Sequence, residues 1–254
     1  MARRENGYRN RILNLLSSLE LERLGQDLEP VPLTFKEPFH EQGKPIKHLY
    51  FPNTGVISLV TDLADGQSVE SGTIGREGVA GIGAFLGMKN ATGRAFCQIP
   101  GDGVRIGCEA LQAEVHRGGS LGPILLRYTN ALMAMLAQGA ACNGSHPLEQ
   151  RMCRWLLMTR DRVDSDDFPL TQEFLAQMLG VRRPSVSLAG ATLQRAGLIN
   201  YSRGRITITD RHGLEAASCE CYAFVQDQFD QALKPFVAQK QLTQPLDHDG
   251  HVTG

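Results

Sequence analysis

The chain has 254 residues, 42% of them hydrophobic, which is enough for two modest packed domains and excludes wholesale disorder. Its formal net charge of −1 singles out no partner, so the distribution of charge matters more than the total. No stretch reaches the roughly 18 apolar residues of a membrane span, and Met1-Ala2-Arg3-Arg4-Glu5-Asn6 is not followed by an apolar run of signal length, so a cytoplasmic protein with no membrane association is expected.

Residues 10–29 place Leu13, Leu16, Leu19 and Leu24 at roughly helical spacing and predict a short helix. From about 30 to 110 the character changes. Gly and Pro punctuate short runs rich in Val, Ile and aromatics, among them His48-Leu49-Tyr50-Phe51 and Gly55-Val56-Ile57-Ser58-Leu59-Val60. Residues 60–63 and 68–72 flank Asp65-Gly66, a hairpin signal. Short strands with regular turns predict a small barrel or roll.

Residues 120–142 then read as one long helix. Leu121, Leu125, Tyr128, Leu132, Met135, Gly139 and Cys142 alternate steps of four and three, the seam of a coiled coil. The spacing predicts a homodimer joined through Leu121, Leu125, Tyr128, Leu132 and Met135; an ordinary core helix is the alternative. Asn143-Gly144-Ser145-His146-Pro147 breaks the helix, with Gly suited to a C-cap and Pro to the next first turn, and marks a hinge. A further helix over 148–162 turns Met152, Trp155, Leu156 and Val163 inward. Residues 164–169 read as a polar loop.

The segment 171–199 is the most informative. Gln172 to Leu179 reads as a helix closed by Gly180, and a second helix opens at Pro184, leaving only Val181-Arg182-Arg183 between them. Two helices crossing steeply over so short a turn need a small residue at the crossing, here Ala176. They need a residue tolerant of positive φ in the turn, here Gly180, and an apolar residue facing back, here Val186. Leu175, Leu179, Ala189 and Leu193 complete the inward face of a helix-turn-helix. The second helix exposes Arg182, Arg183, Ser185 and Ser187 near the end that enters the major groove in this motif. Arginine reads guanine bidentately and serine bonds permissively. Residues 198–202 and 206–209 read as two strands joined by Arg203-Gly204-Arg205, a wing whose tip carries two arginines to phosphate. Residues 151–212 hold ten Arg, no Lys and six acidic residues, a net charge of +4 against −5 for the rest of the chain. That asymmetry fits nucleic-acid binding. A helix from 213 to about 233 and a flexible tail over 234–254 finish the chain.

The six cysteines, Cys97, Cys108, Cys142, Cys153, Cys219 and Cys221, form no CxxC pair, and no four sit together along the chain as zinc or iron–sulfur ligands would. They are expected as small buried hydrophobes of a reducing compartment, with Cys219 and Cys221 pointing apart on one helix. No metal or cofactor is expected. His40, His48 and His116 show no His-x-His of a cupin-type metal enzyme, and neither a Gly-x-Ser-x-Gly elbow nor a P-loop occurs, so no enzymatic activity is expected.

The run Leu170-Thr171-Gln172-Glu173-Phe174-Leu175-Ala176 through Gln194-Arg195-Ala196-Gly197-Leu198-Ile199, with the Arg203-Gly204-Arg205-Ile206 wing, resembles the CRP/FNR superfamily of bacterial transcriptional regulators. Tyr50-Phe51-Pro52-x-x-Gly55 and Gly75-Arg76-Glu77-Gly78 resemble roll segments of the same family. The resemblance implies an α+β fold: a β-roll sensor of the cyclic-nucleotide-binding type over 1–119, a dimerisation helix over 120–145 and a winged helix-turn-helix over 146–233. It implies double-stranded operator DNA as partner, bound by a homodimer, and contact with RNA polymerase should the protein activate. By position, Thr171 and Gln172 clamp phosphate, Arg182, Arg183, Ser185 and Ser187 face bases or nearby phosphate, and Arg203 and Arg205 serve the wing. Pro184 and Leu188 replace a Glu and an Arg of the best-known recognition helix, so its operator does not transfer. In nucleotide-binding members a Glu takes the ribose hydroxyl and an Arg the cyclic phosphate. Arg94 matches the arginine, but Ile82, Gly83 or Ala84 falls where the Glu belongs, and Phe85, Leu86 and Met88 are expected to fill the space. The effector is left open, with His48 or His116 as the histidines a haem would need. A roll that serves only protein interaction, without DNA, is the competing reading.

Overall fold

The computed structural model describes residues 7–64, 66 and 68–235. The first six residues, most of the expected tail, and Asp65 and Gln67 of the hairpin turn lie outside them. A 3-10 turn (Leu13–Leu15) and α1 (Ser18–Gly25) lead into β1 (Glu29–Leu33), β2 (Pro38–His40), β3 (His48–Pro52), β4 (Val56–Asp62), β5 (Ser68–Ile74), α2 (Ile82–Phe85), β6 (Arg94–Ile99), β7 (Gly101–Gly107) and α3 (Cys108–His116). The second half runs α4 (Leu121–Ser145), α5 (Leu148–Val163), β8 (Asp167–Pro169), α6 (Gln172–Leu179), α7 (Arg183–Arg195), β9 (Ile199–Ser202), β10 (Arg205–Ile208), α8 (Arg211–Ala216) and α9 (Cys221–Ala232).

The first seven strands form two antiparallel sheets, ordered β1-β7-β3 and β2-β6-β4-β5, which enclose Leu49, Phe51, Val60, Phe96, Val104 and Ile106. The expected hairpin is present: β4 and β5 pair with Asp62 opposite Ser68. β4, rich in Val and Ile, is buried on both faces because helices of the second half cover the outer one. The N-terminal segment differs from the single helix predicted. Ser17 caps α1 in a capping box with Glu20, so the helix starts late, and Leu19 is exposed.

α4 corrects the dimer seam. Leu121, Leu125, Tyr128, Leu132 and Met135 are between 0% and 6% exposed within a single chain. Tyr128 donates to the carbonyl of Val79 at 3.1 Å and stacks near Phe229 of α9. These five side chains belong to the chain's own core, on the roll and α9, and have no surface left for a second copy. The same 4–3 spacing serves any helix that packs along one face, which is why the periodicity alone misled. The helix also runs through Gly144 to Ser145 instead of breaking at 143, and Pro147 caps α5.

The halves are locked through α5. Arg162, 6% exposed, pairs with Glu77 at 2.8 Å and donates to the Thr73 hydroxyl at 2.6 Å. Glu77 also accepts the Gly75 N–H at 3.0 Å. Trp155 donates to Glu70 at 2.9 Å, and Ser58 donates to the same carboxyl. Phe174 of α6 sits between Phe35 and Phe96 of the roll, with ring centroids 6.3 Å apart in each pair. Two further expectations change. The polar loop at 164–169 contains β8, which makes the wing three-stranded in the order β8-β10-β9. The final helix is two, α8 and α9, interrupted at 217–220.

Candidate nucleic-acid interface

α6 and α7 form the turn as the sequence requires. Thr171 caps α6 by accepting the Phe174 N–H at 3.1 Å. Gly180 stands at φ 64°, where a side chain would be strained, and so ends α6. Ala176, Val186, Leu175, Leu179, Ala189 and Leu193 are all buried at the crossing. Pro184 lies in the first turn of α7, where no N–H is needed. Arg203 (φ 50°) and Gly204 (φ 75°) make the left-handed pair of a tight hairpin between β9 and β10.

The structure brings most of the expected residues to one place. An open groove between α7 and the wing is lined by Thr171, Gln172, Glu173, Arg183, Tyr201, Arg203 and Gly204. Arg182, Arg183, Ser185 and Arg203 are exposed around it. Ser187 departs from the expected outward role. Its hydroxyl donates to Gln172 Oε1 at 2.7 Å, a bond that ties α7 to α6. Arg205 is paired with Asp167 of β8, and that pairing lowers the Asp167 carboxyl below its usual range. Leu188, not named beforehand as a contact, is 66% exposed on the same face of α7.

The roll holds a cavity of about 360 Å³, whose lining includes His40, Ile82, Leu86, Met88, Arg94 and, from α4, Leu132 and Leu136. That volume suits a small ligand. Leu86 and Met88 line its mouth, about half exposed, and leave it open where filling was expected. Arg94 does reach the cavity, but its guanidinium forks onto Asp62 with two bonds of 3.0 Å and onto the Ser68 hydroxyl. Among the described residues no acidic side chain lines the cavity. His48 is half-buried beside Tyr50, and His116 is exposed and bonded to the Gln112 carbonyl; neither lines the cavity.

The cysteines correct a second expectation. Cys219 precedes α9, in the turn, instead of sharing a helix with Cys221, so the two side chains converge. With Cys142 and His146 they form the one cluster of metal-ligand type among the described residues.

An antiparallel β-roll, a long helix and a winged helix-turn-helix together define the architecture. Residues 150–217 match the family model of the Crp-like helix-turn-helix domain. The structure of FixK2 from Bradyrhizobium japonicum aligns with a TM-score of 0.65 and 16% identity over 76% of this chain and 98% of that one. A CRP-family transcriptional regulator from Thermus thermophilus aligns with a TM-score of 0.61 and 23% identity, over 74% of this chain and 96% of its own. The c-di-GMP-responsive regulator CLP from Xanthomonas campestris gives a TM-score of 0.58 and 17% identity over 76% and 100%. No curated protein sequence matches the chain at significance. Residues 150–217 are thus a Crp-like helix-turn-helix domain, and the chain shares its overall fold with these solved regulators. Among the described residues no helix is long and apolar enough to cross a membrane.

Proposed function

We propose that the protein is a transcriptional regulator that binds operator DNA as a homodimer and does not require a cyclic nucleotide. The observation that carries the reading is the groove between α7 and the wing, where Thr171, Gln172, Arg183 and Arg203 converge beside an exposed α7 N-terminus. Residues 1–119 act as sensor, 120–145 as dimerisation helix and 146–233 as DNA-binding domain. Contact with RNA polymerase follows if the protein activates. A regulatory protein of this kind has no need of catalysis.

Arg182, Arg183 and Ser185 face base edges, Thr171 and Gln172 face phosphate, and Arg203 tracks the backbone from the wing. Leu188 is placed to touch a thymine methyl, as apolar side chains do in the major groove. Arg183→Ala is expected to cost about 1–3 kcal/mol of specific binding per half-site and to relax base preference there. Arg203→Ala weakens all sequences alike and lowers the salt slope. Binding titrations on an operator and on random DNA at several salt concentrations separate the two. Equal loss on both DNAs for Arg183→Ala makes it a phosphate contact. Half-sites are inverted and about one helical turn apart, roughly 34 Å.

The cavity supports independence from cyclic AMP and cyclic GMP. A bound phosphate must break the Arg94–Asp62 fork, and the ribose hydroxyl meets no carboxylate, a loss of about 1–3 kcal/mol. Calorimetry with each nucleotide is expected to show no binding in the micromolar range, and operator affinity is unchanged by either. Micromolar binding coupled to tighter DNA binding would overturn this. The open volume remains suited to a different, more apolar effector.

A further inference from the structure

Cys142 and His146 stand one turn apart at the end of α4, and Cys219 and Cys221 flank the start of α9. The three sulfurs and an imidazole nitrogen all lie within 4.8 Å of one another. Cys142 Sγ is 3.5 Å from Cys219 Sγ, and Cys221 Sγ is 3.6 Å from His146 Nδ1. A tetrahedral ion with Zn–S near 2.3 Å and Zn–N near 2.0 Å holds its ligand atoms roughly 3.6–3.8 Å apart. Two edges of that tetrahedron are thus already closed, and the others need a contraction of about 1 Å or less.

The surroundings point the same way. The three cysteines form a buried cluster separate from the main apolar core. The other imidazole nitrogen, His146 Nε2, is 3.3 Å from Glu220 Oε1. With its proton on Nε2, toward that carboxylate, the imidazole leaves Nδ1 free to ligate, the outer-shell arrangement common at metal-bound histidines. Gln138 donates to Cys221 Sγ at 3.0 Å. Arg151 and Arg154 of α5 lie within electrostatic reach of Cys142, and the buried Arg154 Nε has no hydrogen-bond partner among the described residues. Three thiolates, one neutral imidazole and a dication carry a net charge of −1, which these guanidiniums complement.

We propose that Cys142, His146, Cys219 and Cys221 bind one structural Zn2+ that ties the end of α4 to the start of α9 across the hinge at Pro147. Four protein ligands leave no open position, so the ion holds structure and does no chemistry on a substrate. Each of the three thiols releases its proton to solvent as the metal binds. The cross-link encloses α5 through α8, and so fixes the whole winged helix against the long helix. This placement does not depend on whether the groove binds DNA.

The test uses the full chain purified under reducing conditions. Elemental analysis is expected to find about one zinc per chain, in the unaltered protein and in Cys153→Ser, a buried cysteine outside the cluster. Cobalt added to the chelator-treated chain gives the visible absorption of tetrahedral thiolate coordination. Cys219→Ser loses both signals, and Glu220→Gln binds cobalt about 10- to 100-fold more weakly. Chelation lowers the Tm of the unaltered chain. The Glu220→Gln variant and the cobalt titration keep the test decisive if Cys219→Ser does not fold. Substoichiometric metal with no cobalt band overturns the proposal, as does metal content unchanged in Cys219→Ser. A Cys142–Cys219 disulfide whose reduction restores no cobalt binding would show a redox pair in place of a metal site.

Discussion

Arg162→Met is expected to destabilise the folded chain by about 3–5 kcal/mol, because it strands a buried carboxylate between the two halves. Glu77 is only 8% exposed, and Arg162 is its charge partner at 2.8 Å. Burial alone would raise the Glu77 carboxyl, but the Arg162 charge and hydrogen bond and the Gly75 N–H hold it below its usual value. A lowered carboxyl contributes stability above its unfolded pKa and loses it as pH falls through the folded one. Without Arg162 the burial effect is opposed only by backbone N–H bonds, and the variant is penalised increasingly as pH rises from the acid range toward neutrality. Glu70, pushed up to about 7 by burial and lowered in part by Arg162, shifts in the same direction when the arginine is lost. The gap between variant and parent therefore widens with pH. Urea midpoints at about pH 5 and about pH 8 measure it. Equal losses at both pH values would show that packing of the arginine stem, not its charge, matters. Glu77→Gln in the Arg162→Met background should recover part of the loss, since no charge is then left unpaired.

What the sequence disclosed depended on how local the constraint was. The helix-turn-helix is set by residues close together in the chain, and Ala176, Gly180, Val186 and the Arg203-Gly204 turn all sit where the spacing put them. The roll was legible as strands and turns, but its sheet order was not, because pairings such as Glu29 with Arg105 join strands from opposite ends of the roll. The start of α1 was legible in Ser17 and Glu20, a capping-box spacing that the leucine period overshadows. Glu77 and Arg162 are 85 residues apart and carry no mutual signal. The cysteine cluster had a partial one: Cys142 and His146 share a helical face at i and i+4. Reading Cys219 and Cys221 as one helix hid the other half, since only the break at 217–220 lets both side chains face α4.

Met133→Asp is expected to convert the protein to folded monomers, weakening association by about 3 kcal/mol or more, roughly a hundredfold in Kd. With the buried seam of α4 spent on the chain's own core, the face left for a second copy is Leu126, Asn130, Met133, Ala137, Ala140 and Gly144. Leu126 is 58% exposed and Met133 64%, and the other four are exposed as well. Steps of four and three recur along this stripe too, so it suits a parallel two-stranded coiled coil. Small residues fill its C-terminal half, where they allow two helices to approach closely. Asn130 then falls at an a position, where a single asparagine sets register and two-fold pairing at some loss of stability. Inverted half-sites demand such a two-fold. Across the axis, two copies of the introduced aspartate face one another in an apolar seam. In the isolated chain the same position is open to water, so the fold survives. Leu132→Asp, one residue away, has the opposite signature. It buries a charge against the roll, and the chain is expected to lose its cooperative unfolding transition before its association can be measured. Sedimentation for association and circular dichroism for the fold distinguish the two variants. A Met133→Asp protein that remains dimeric removes the exposed stripe as the interface, and a well-folded monomeric Leu132→Asp restores the inner seam.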